Sequence, residues 1–248
     1  YVNAMTPSYE VLIEGMVNRP GTYAFNEGET LSDLIRKAGG YKNNAYVYGG
    51  ALFRESAVQK EQTFAQLNYS DTVNYIVSNI GKPNTSIDAS ALDLLAEELR
   101  SQSYTGRVIT SFSLSELDSN PSKDLKLEHR DHIVIPPLQK IVYLFGDFKN
   151  PSNVSFQSNY SLKEYIDSVG GLRDSAFKDI LVIDPDGTTH LFNSKALLFS
   201  QETQIYPGTI IYAPRDIGKL TGVMYASTVS PILSNLALSL ASLNSISD

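Results

Sequence analysis

The sequence predicts an α+β protein made of two tandem copies of one small module, with a helical insertion in the first copy and an amphipathic helix at the carboxy terminus. Three observations support this prediction. The segment that begins at Glu10 recurs without a gap 131 residues later, at Ile141. Each copy has the pattern strand, proline turn, strand, short helix, glycine pair and further strands. After the second copy, a long segment carries no charge.

Turn residues mark the repeat most clearly. A glycine before a short loop and a proline within it are typical of a tight connection between paired strands. In the second copy Ser152 replaces the glycine that follows the proline, which makes the second turn the weaker match. The turn and helix-end residues of the two copies are Gly15, Pro20, Gly21, Gly39, Gly40, Gly146, Pro151, Gly170 and Gly171.

A short helix is predicted in each copy, at roughly 31–38 and 162–169. Thr30 and Ser161 are favourable N-cap residues, and an acidic residue follows each of them three positions later. This spacing is that of a capping box. A glycine pair ends each helix, because glycine adopts the left-handed conformation that closes a helix at its carboxyl end.

The turn that precedes each helix differs in one informative position. Gly28 of the first copy is replaced by Asn159 in the second. Asparagine is the non-glycine residue that best tolerates the left-handed region. We therefore expect a shared turn with positive φ at both positions.

The two copies also end alike, and their ends locate the insertion. Residues 127–137 align with 204–214 at an offset of 77, so the first copy carries about 54 extra residues. The extra segment, about 56–104, contains apolar residues at helical spacing and is predicted to be helical. In the second copy, the sequence from Asp184 to Gly187 predicts a tight hairpin turn.

These boundaries predict three parts within the 248 residues. The first module covers 8–138, including the insertion. The second module covers 139–215, and the terminal helix covers 216–248. A short helix packed on one face of a small mixed sheet places each module in the α+β class.

Composition and charge exclude several kinds of function. The net charge is −7, and no cluster of lysines and arginines is present, which argues against nucleic acid as a partner. The chain has no cysteine, so a disulfide framework, a thiolate metal site and a cysteine nucleophile are all excluded. Because the chain begins at Tyr1 without a signal peptide, we expect that an amino-terminal part has been removed.

No residue pattern indicates catalysis or a cofactor. His129 and His132 lack a third partner at metal-ligand spacing, so we interpret them as turn or surface residues. Asp184 and Asp186 fit a turn better than a pair of catalytic carboxylates. Nucleophile elbows and phosphate-binding glycine loops are not found. The sequence therefore predicts a protein that is not an enzyme and binds no metal or cofactor.

The carboxy-terminal tail has no charged residue between Lys219 and Asp248. Its apolar residues fall within about 100° of arc on a helix that begins near Pro231, and serines lie on the other side. A conventional single span is disfavoured, because about 20 apolar residues are expected for one. Two alternatives remain, a helix packed on protein and one stave of a helical barrel in a membrane. The face in question consists of Val229, Ile232, Leu233, Leu236, Leu240 and Leu243.

The repeated motif resembles a known domain. In the first copy it consists of Gly15-Met-Val-Asn-Arg-Pro-Gly-Thr-Tyr23, the Thr30-Leu31 helix start, Gly39-Gly40 and a final strand that ends in Pro136-Pro137. This combination resembles the SLBB module, the soluble ligand-binding β-grasp. The second copy resembles it less closely, since Val154 lies where Tyr23 does.

The resemblance implies a role in polysaccharide export. SLBB modules occur in outer-membrane export proteins of the Wza-like family, which implies a ring-forming body in the periplasm of a Gram-negative bacterium. It further implies that the terminal helix crosses the outer membrane, with polysaccharide, other copies of the chain and other export-machine proteins as partners. A related alternative is a monomeric periplasmic accessory protein that binds polysaccharide or assists assembly, with its tail packed on its own body. The amino-terminal export domain of that family is not part of this sequence.

Overall fold

The computed structural model describes residues 9–79, 104–193 and 203–216. Each copy of the repeat forms one five-stranded sheet with a short helix on it. The first module contains β1 (Tyr9–Gly15), β2 (Gly21–Phe25), α1 (Leu31–Lys37), β3 (Ala51–Phe53), α2 (Glu55–Asn79), β4 (Arg107–Val108), α3 (Leu114–Ser119) and β5 (His132–Ile135), with 3₁₀ turns at Val47–Gly49 and Pro121–Lys123.

The second module is shorter because it lacks the insertion. It contains β6 (Ile141–Gly146), β7 (Ser152–Ser155), α4 (Leu162–Ser168), β8 (Asp179–Ile183), β9 (Thr189–Asn193) and β10 (Ile210–Ala213).

The two sheets have the same topology. Their strand orders are β2-β1-β5-β3-β4 and β7-β6-β10-β8-β9. In each sheet the first strand pairs in parallel with the last strand, and all other pairs are antiparallel. The predicted α+β fold with two tandem modules is therefore confirmed.

The helix boundaries follow from the caps that the sequence supplies. Capping boxes form at Thr30 and at Ser161, where the acid three residues later accepts the backbone N–H of the cap residue at 3.1 Å and 2.7 Å. Both helices stop within a residue of the predicted end. All four glycines of the two helix-ending pairs have positive φ.

One hydrophobic core lies between each helix and the sheet beneath it. In the first module, Leu31, Leu34 and Ile35 of α1 are fully buried against the sheet. In the second, Leu162, Tyr165 and Ile166 of α4 pack against the corresponding face. Residues one position apart along each strand face opposite sides, so only alternate strand residues enter these cores.

The register of the final strand corrects the sequence alignment. Gly15 pairs with Ile135, and the equivalent Gly146 pairs with Ala213. The last strands are therefore related by an offset of 78, one residue more than predicted. A slip of one residue in a strand exchanges its two faces. The prediction was wrong because both strands are runs of apolar residues without the alternation that would fix their register.

The prediction for the turn before the helices was half right. Gly28 has φ of +93°. Asn159, however, does not have positive φ, and among the described residues Arg130 is the only non-glycine that does. Asparagine tolerates the left-handed region but does not require it, so the second turn closes with a different backbone conformation.

The insertion and the tail are only partly described. α2 confirms a helix for the first half of the predicted insertion, and Phe64 and Leu67 on it are exposed. Residues 80–103 and the tail from 217 onward, with its predicted amphipathic helix, lie outside the described residues. Within the part of the chain that is described, no helix combines the length and the hydropathy that a membrane span needs.

Candidate functional site

The outer faces of the two sheets, those turned away from the helices, differ in polarity. In the first module, Glu14 Oε2 lies 2.7 Å from His132 Nε2 on this face. The second module has apolar residues at the equivalent positions. The equivalent pairs are Glu10 and Ile141, Glu14 and Phe145, and His132 and Ile210.

These apolar side chains of the second module form a cluster of their own. Tyr143 and Phe145 stack with ring centroids 6.2 Å apart. Leu181, Ile183 and Ile210 are buried beside them. A β-grasp sheet needs one apolar face to hold its helix, and here the opposite face is apolar as well and largely shielded from solvent. We call this surface the outer apolar face.

A short linker joins the two modules and is held to the first. Tyr46 donates its backbone N–H to the carbonyl of Pro136 at 2.8 Å, and Leu138 donates to the carbonyl of Asn44 at 2.9 Å. The linker enters β6 a few residues later. A connection this short, held to the first module at Pro136 and Leu138, restricts how the modules can move relative to each other.

Tyrosines fill the junction between the modules. Tyr48 of the first module packs on Tyr206 of the second, with ring centroids 4.6 Å apart and the planes inclined by 48°. Tyr46 meets Tyr48 edge to face at 6.3 Å. Gly49 permits this packing, since a Cβ there would lie 2.7 Å from Cδ1 of Tyr46.

Arg107 crosses from the first module to the second. Its Nη2 donates to the carbonyl of Pro185 at 2.8 Å, and its guanidinium lies so close to Gly187 of the β8–β9 turn that a Cβ there would be 2.9 Å from Cζ. Burial lowers the pKa of Arg107, and the charge of Asp186 partly opposes that effect. The Nε atom of Arg107 is buried without a hydrogen-bond partner.

An acidic side chain completes the junction. Asp184 is buried; its carboxylate lies 3.2 Å from Nε2 of His190 and accepts a long hydrogen bond, 3.4 Å, from the hydroxyl of Thr209. Burial raises the pKa of Asp184. The pKa of Tyr46 is also raised, first by its own burial and then by the charge of Asp184.

An open groove of about 720 Å³ adjoins the junction. It lies beside β4, the edge strand of the first sheet, which is shorter than its counterpart β9. β4 has two residues and β9 has five. After Val108 the chain leaves the sheet and runs through Ile109 and Ser113 into α3. We call the space that this opens the junction groove.

Aromatic rings form much of the floor and one wall of the junction groove. Phe112 packs directly on Gly50, where a Cβ would lie 2.5 Å from the ring. The hydroxyl of Tyr41 donates to the carbonyl of Phe112. Tyr48 forms part of the wall, and Ile109 is 59% exposed at the rim.

Hydroxyl and charged groups form the rest of the junction groove. Ser113 caps α3 by accepting the N–H of Glu116. Glu116 pairs with Lys123 at 2.7 Å, and hydrogen bonds from Lys123 and Ser111 lower the pKa of Glu116. Asp186 reaches the groove from the second module. The lining therefore carries two carboxylates and one ammonium group.

The residues singled out from the sequence lie elsewhere and shape the backbone. Gly15 and Gly146 mark the end of the first strand of each module, where a Cβ would lie 2.1 Å from a carbonyl oxygen of the last strand. The glycine pairs end α1 and α4. Pro20, Gly21 and Pro151 lie at the hairpins between the first two strands of each module. None of these residues lines the junction groove.

His129 lines a second open cavity, of about 600 Å³, beside the first turn of α2. Its ring meets Tyr9 edge to face at 6.2 Å. Glu27, Glu55 and Glu128 also line this cavity. Across residues 9–79, 104–193 and 203–216, no cluster of three or more acidic or histidine side chains is arranged to hold a metal ion.

Comparison with known families identifies the repeat. The family model described as the SLBB domain matches residues 11–54 and 141–189. The chain carries two SLBB domains. No curated protein matches the chain.

The matched segments explain which parts of the junction groove belong to the domain itself. Tyr48 and Asp186 fall within the matched segments of the first and second SLBB domains. The wall formed by residues 109–116 lies outside them and belongs to the connection that follows the insertion. The groove is therefore lined partly by residues within the matched segments and partly by residues outside them. Sequence reasoning missed it, because fifteen tyrosines gave no ranking.

Proposed function

We propose that the protein is a non-enzymatic component of capsule or exopolysaccharide export across the periplasm and outer membrane. The two SLBB domains form a fixed body that lines or borders the translocation path. Several copies assemble side by side with other export-machine proteins, and the terminal helix engages the outer membrane. Polysaccharide is bound and guided without bond cleavage.

The tandem of SLBB domains joined by a bonded junction is the observation that carries this proposal. A conduit needs rigid elements held at a constant angle, because a flexible linker would let the path close. The linker hydrogen bonds, the Tyr48–Tyr206 contact and the Arg107 hydrogen bond supply that rigidity. The SLBB domain suggests binding of a ligand or a polysaccharide in proteins of the export type.

A second candidate is a monomeric periplasmic accessory protein that binds polysaccharide or assists its assembly. The outer apolar face of the second SLBB domain favours this alternative. The predicted tail helix has an apolar stripe of leucine, isoleucine and valine that would match such a face. In this arrangement the apolar stripe of the tail would pack against its own chain and could not contact lipid.

The mass of the native protein after detergent extraction separates the two candidates. The measurement compares the intact chain with a chain truncated after Arg215. A large detergent-dependent assembly that is lost on truncation is the result expected for a conduit. A monomer in both forms would contradict the conduit and leave the accessory protein.

Binding of a fluorescent hydrophobic dye gives a second reading of the same two proteins. If the tail covers the outer apolar face of its own chain, truncation exposes that face and dye binding rises. A Phe145→Ser variant of the truncated chain, which changes a partly buried ring of that face, should lose part of the gain. An exposed-site control, Leu67→Ser, should leave dye binding at the level of the truncated parent.

A further inference from the structure

We propose that the junction groove binds a neutral segment of a saccharide chain. This assignment rests on the proposed role in polysaccharide handling and makes it specific to one surface. The groove lies where both SLBB domains contribute residues, so a ligand bound there would contact both. Its volume of about 720 Å³ is in the range of small-molecule sites, and its open shape suits a chain that passes through.

The apolar part of the groove offers a platform for the carbon-bound hydrogens of a sugar ring. Tyr48 is held by Tyr206 behind it and remains 37% exposed. Ile109 is exposed and contributes little to the core of the first domain. Rigid amphipathic rings give contact area at low entropic cost, which is why they recur in binding surfaces.

The polar part offers hydrogen bonds along the same wall. The hydroxyls of Ser111, Ser113 and Ser115 lie along this wall and are bonded to Glu116 or to one another. In the described part of the chain, Thr110 and Ser111 make no hydrogen bond between their backbone and that of another residue. The backbone donors and acceptors of these two residues can therefore pair with the hydroxyl groups of a ligand.

The charges of the groove indicate that the ligand segment is neutral. Lys123 is paired with Glu116, so this pair adds no net positive charge to the groove. Asp186 leaves an excess negative charge at the wall. An anionic saccharide would meet repulsion that a neutral one avoids.

The test uses the full chain and oligosaccharides released by mild hydrolysis from the polysaccharide of the producing cell. These are divided into neutral and anionic fractions by ion exchange. Binding is followed by amide chemical shifts and by equilibrium dialysis. We expect the neutral fraction to shift the amides of residues 109–116, and Ile109→Ser to weaken binding about tenfold. The matched control is Leu67→Ser, an equally exposed apolar residue on α2, which should bind as the parent does.

The outcomes distinguish this proposal from the export function. If the neutral fraction leaves the groove amides unshifted, or if the anionic fraction binds there as tightly, the saccharide assignment is overturned. The mass measurement decides separately between conduit and accessory protein. Groove binding by a monomer would therefore support this inference while contradicting the conduit.

Discussion

At the scale of single residues, glycines decide where two strands approach each other. Gly15 and Gly146 both have positive φ. At each of them a carbonyl oxygen of the last strand lies where a Cβ would be, so no side chain fits. Gly171 has a similar φ of +86°, but no atom lies within 4 Å of the position that a Cβ would take there. Alanine substitutions at the two kinds of site therefore distinguish two destabilising effects. One is the unfavourable backbone conformation, and the other is the steric clash with the carbonyl oxygen.

Gly146→Ala should therefore destabilise the protein much more than Gly171→Ala. The control variant, Gly171→Ala, should lose about 1–2 kcal/mol of unfolding free energy, because alanine is disfavoured in the left-handed conformation. Gly146→Ala should lose the same amount and more. Its new methyl group would collide with the carbonyl oxygen of Ala213, so the last strand would have to shift. Chemical denaturation of both variants measures the difference. Equal free energies of unfolding would show that the close approach has no energetic weight.

Arg54 and Asp131 form a buried ion pair in the first domain. Two nitrogen atoms of Arg54 donate to the two carboxylate oxygens of Asp131 at 2.9 Å and 2.8 Å, and Asp131 is 1% exposed. Asp131 also accepts the backbone N–H of Glu128. Removal of the arginine would leave this carboxylate buried without an ion-pair partner.

We expect Arg54→Met to lower the free energy of unfolding by about 3–5 kcal/mol, the cost of leaving a buried charge unpaired. Arg54→Lys should recover only part of it, since an ammonium group cannot make both hydrogen bonds in the same plane. Urea denaturation at neutral pH provides the measurement. Full stability in the lysine variant would argue that charge alone matters at this site.

At the scale of secondary-structure elements, the β8–β9 hairpin carries a buried carboxyl group. Asp184 enters the buried junction at its end, and burial raises its pKa above the ordinary 3.8. The folded protein then binds the proton more tightly than the unfolded chain does. Stability consequently falls as the pH rises from the ordinary value through the raised one. His190, Thr209 and Asp186 are the polar groups that face it.

Asp184→Asn should remove that pH dependence. At pH 7 the midpoint of thermal unfolding should be higher in the variant than in the parent, because an ionised buried group is gone. The advantage should shrink as the pH falls through the raised pKa of Asp184 towards 3.8, because the parent carboxyl becomes protonated in the folded state. Calorimetry over this pH range tests it, with the exposed Asp174→Asn as control. A constant difference at all pH values would contradict the assignment.

The edge strands of the two sheets differ in length although the fold is the same. β4 stops after two residues beside the junction groove, whereas its counterpart β9 has five residues. Edge strands can be shortened at little cost, since they have a neighbour on only one side. The insertion lies between β3 and β4 in the first domain, at the place of the tight turn in the second.

At the scale of the whole molecule, the junction determines whether the two SLBB domains behave as one body. The covalent linker alone would allow rotation about its few backbone bonds. The side chain of Arg107 and the tyrosine contacts restrict that rotation. Both domains therefore should unfold together as long as these contacts are intact.

Arg107→Ala should uncouple the domains. It removes the hydrogen bond to Pro185 and leaves a space against Gly187. We expect the single thermal transition of the parent to separate into two in differential scanning calorimetry. Arg36→Ala is the control, because Arg36 is exposed and bonds within the first domain. One unchanged transition in Arg107→Ala would mean that the linker alone couples the domains.

The sequence by itself determined the repeat, the class of the fold and the ends of α1 and α4. These depend on local chemistry, since capping residues and glycine pairs act within one turn of the chain. The register of the last strand was not determined, because apolar runs pair equally well when shifted by one residue. Only the tertiary structure decided that register, and with it the junction groove and the outer apolar face. Both surfaces bring together residues far apart in sequence, and their contacts depend on which side of a strand each residue faces.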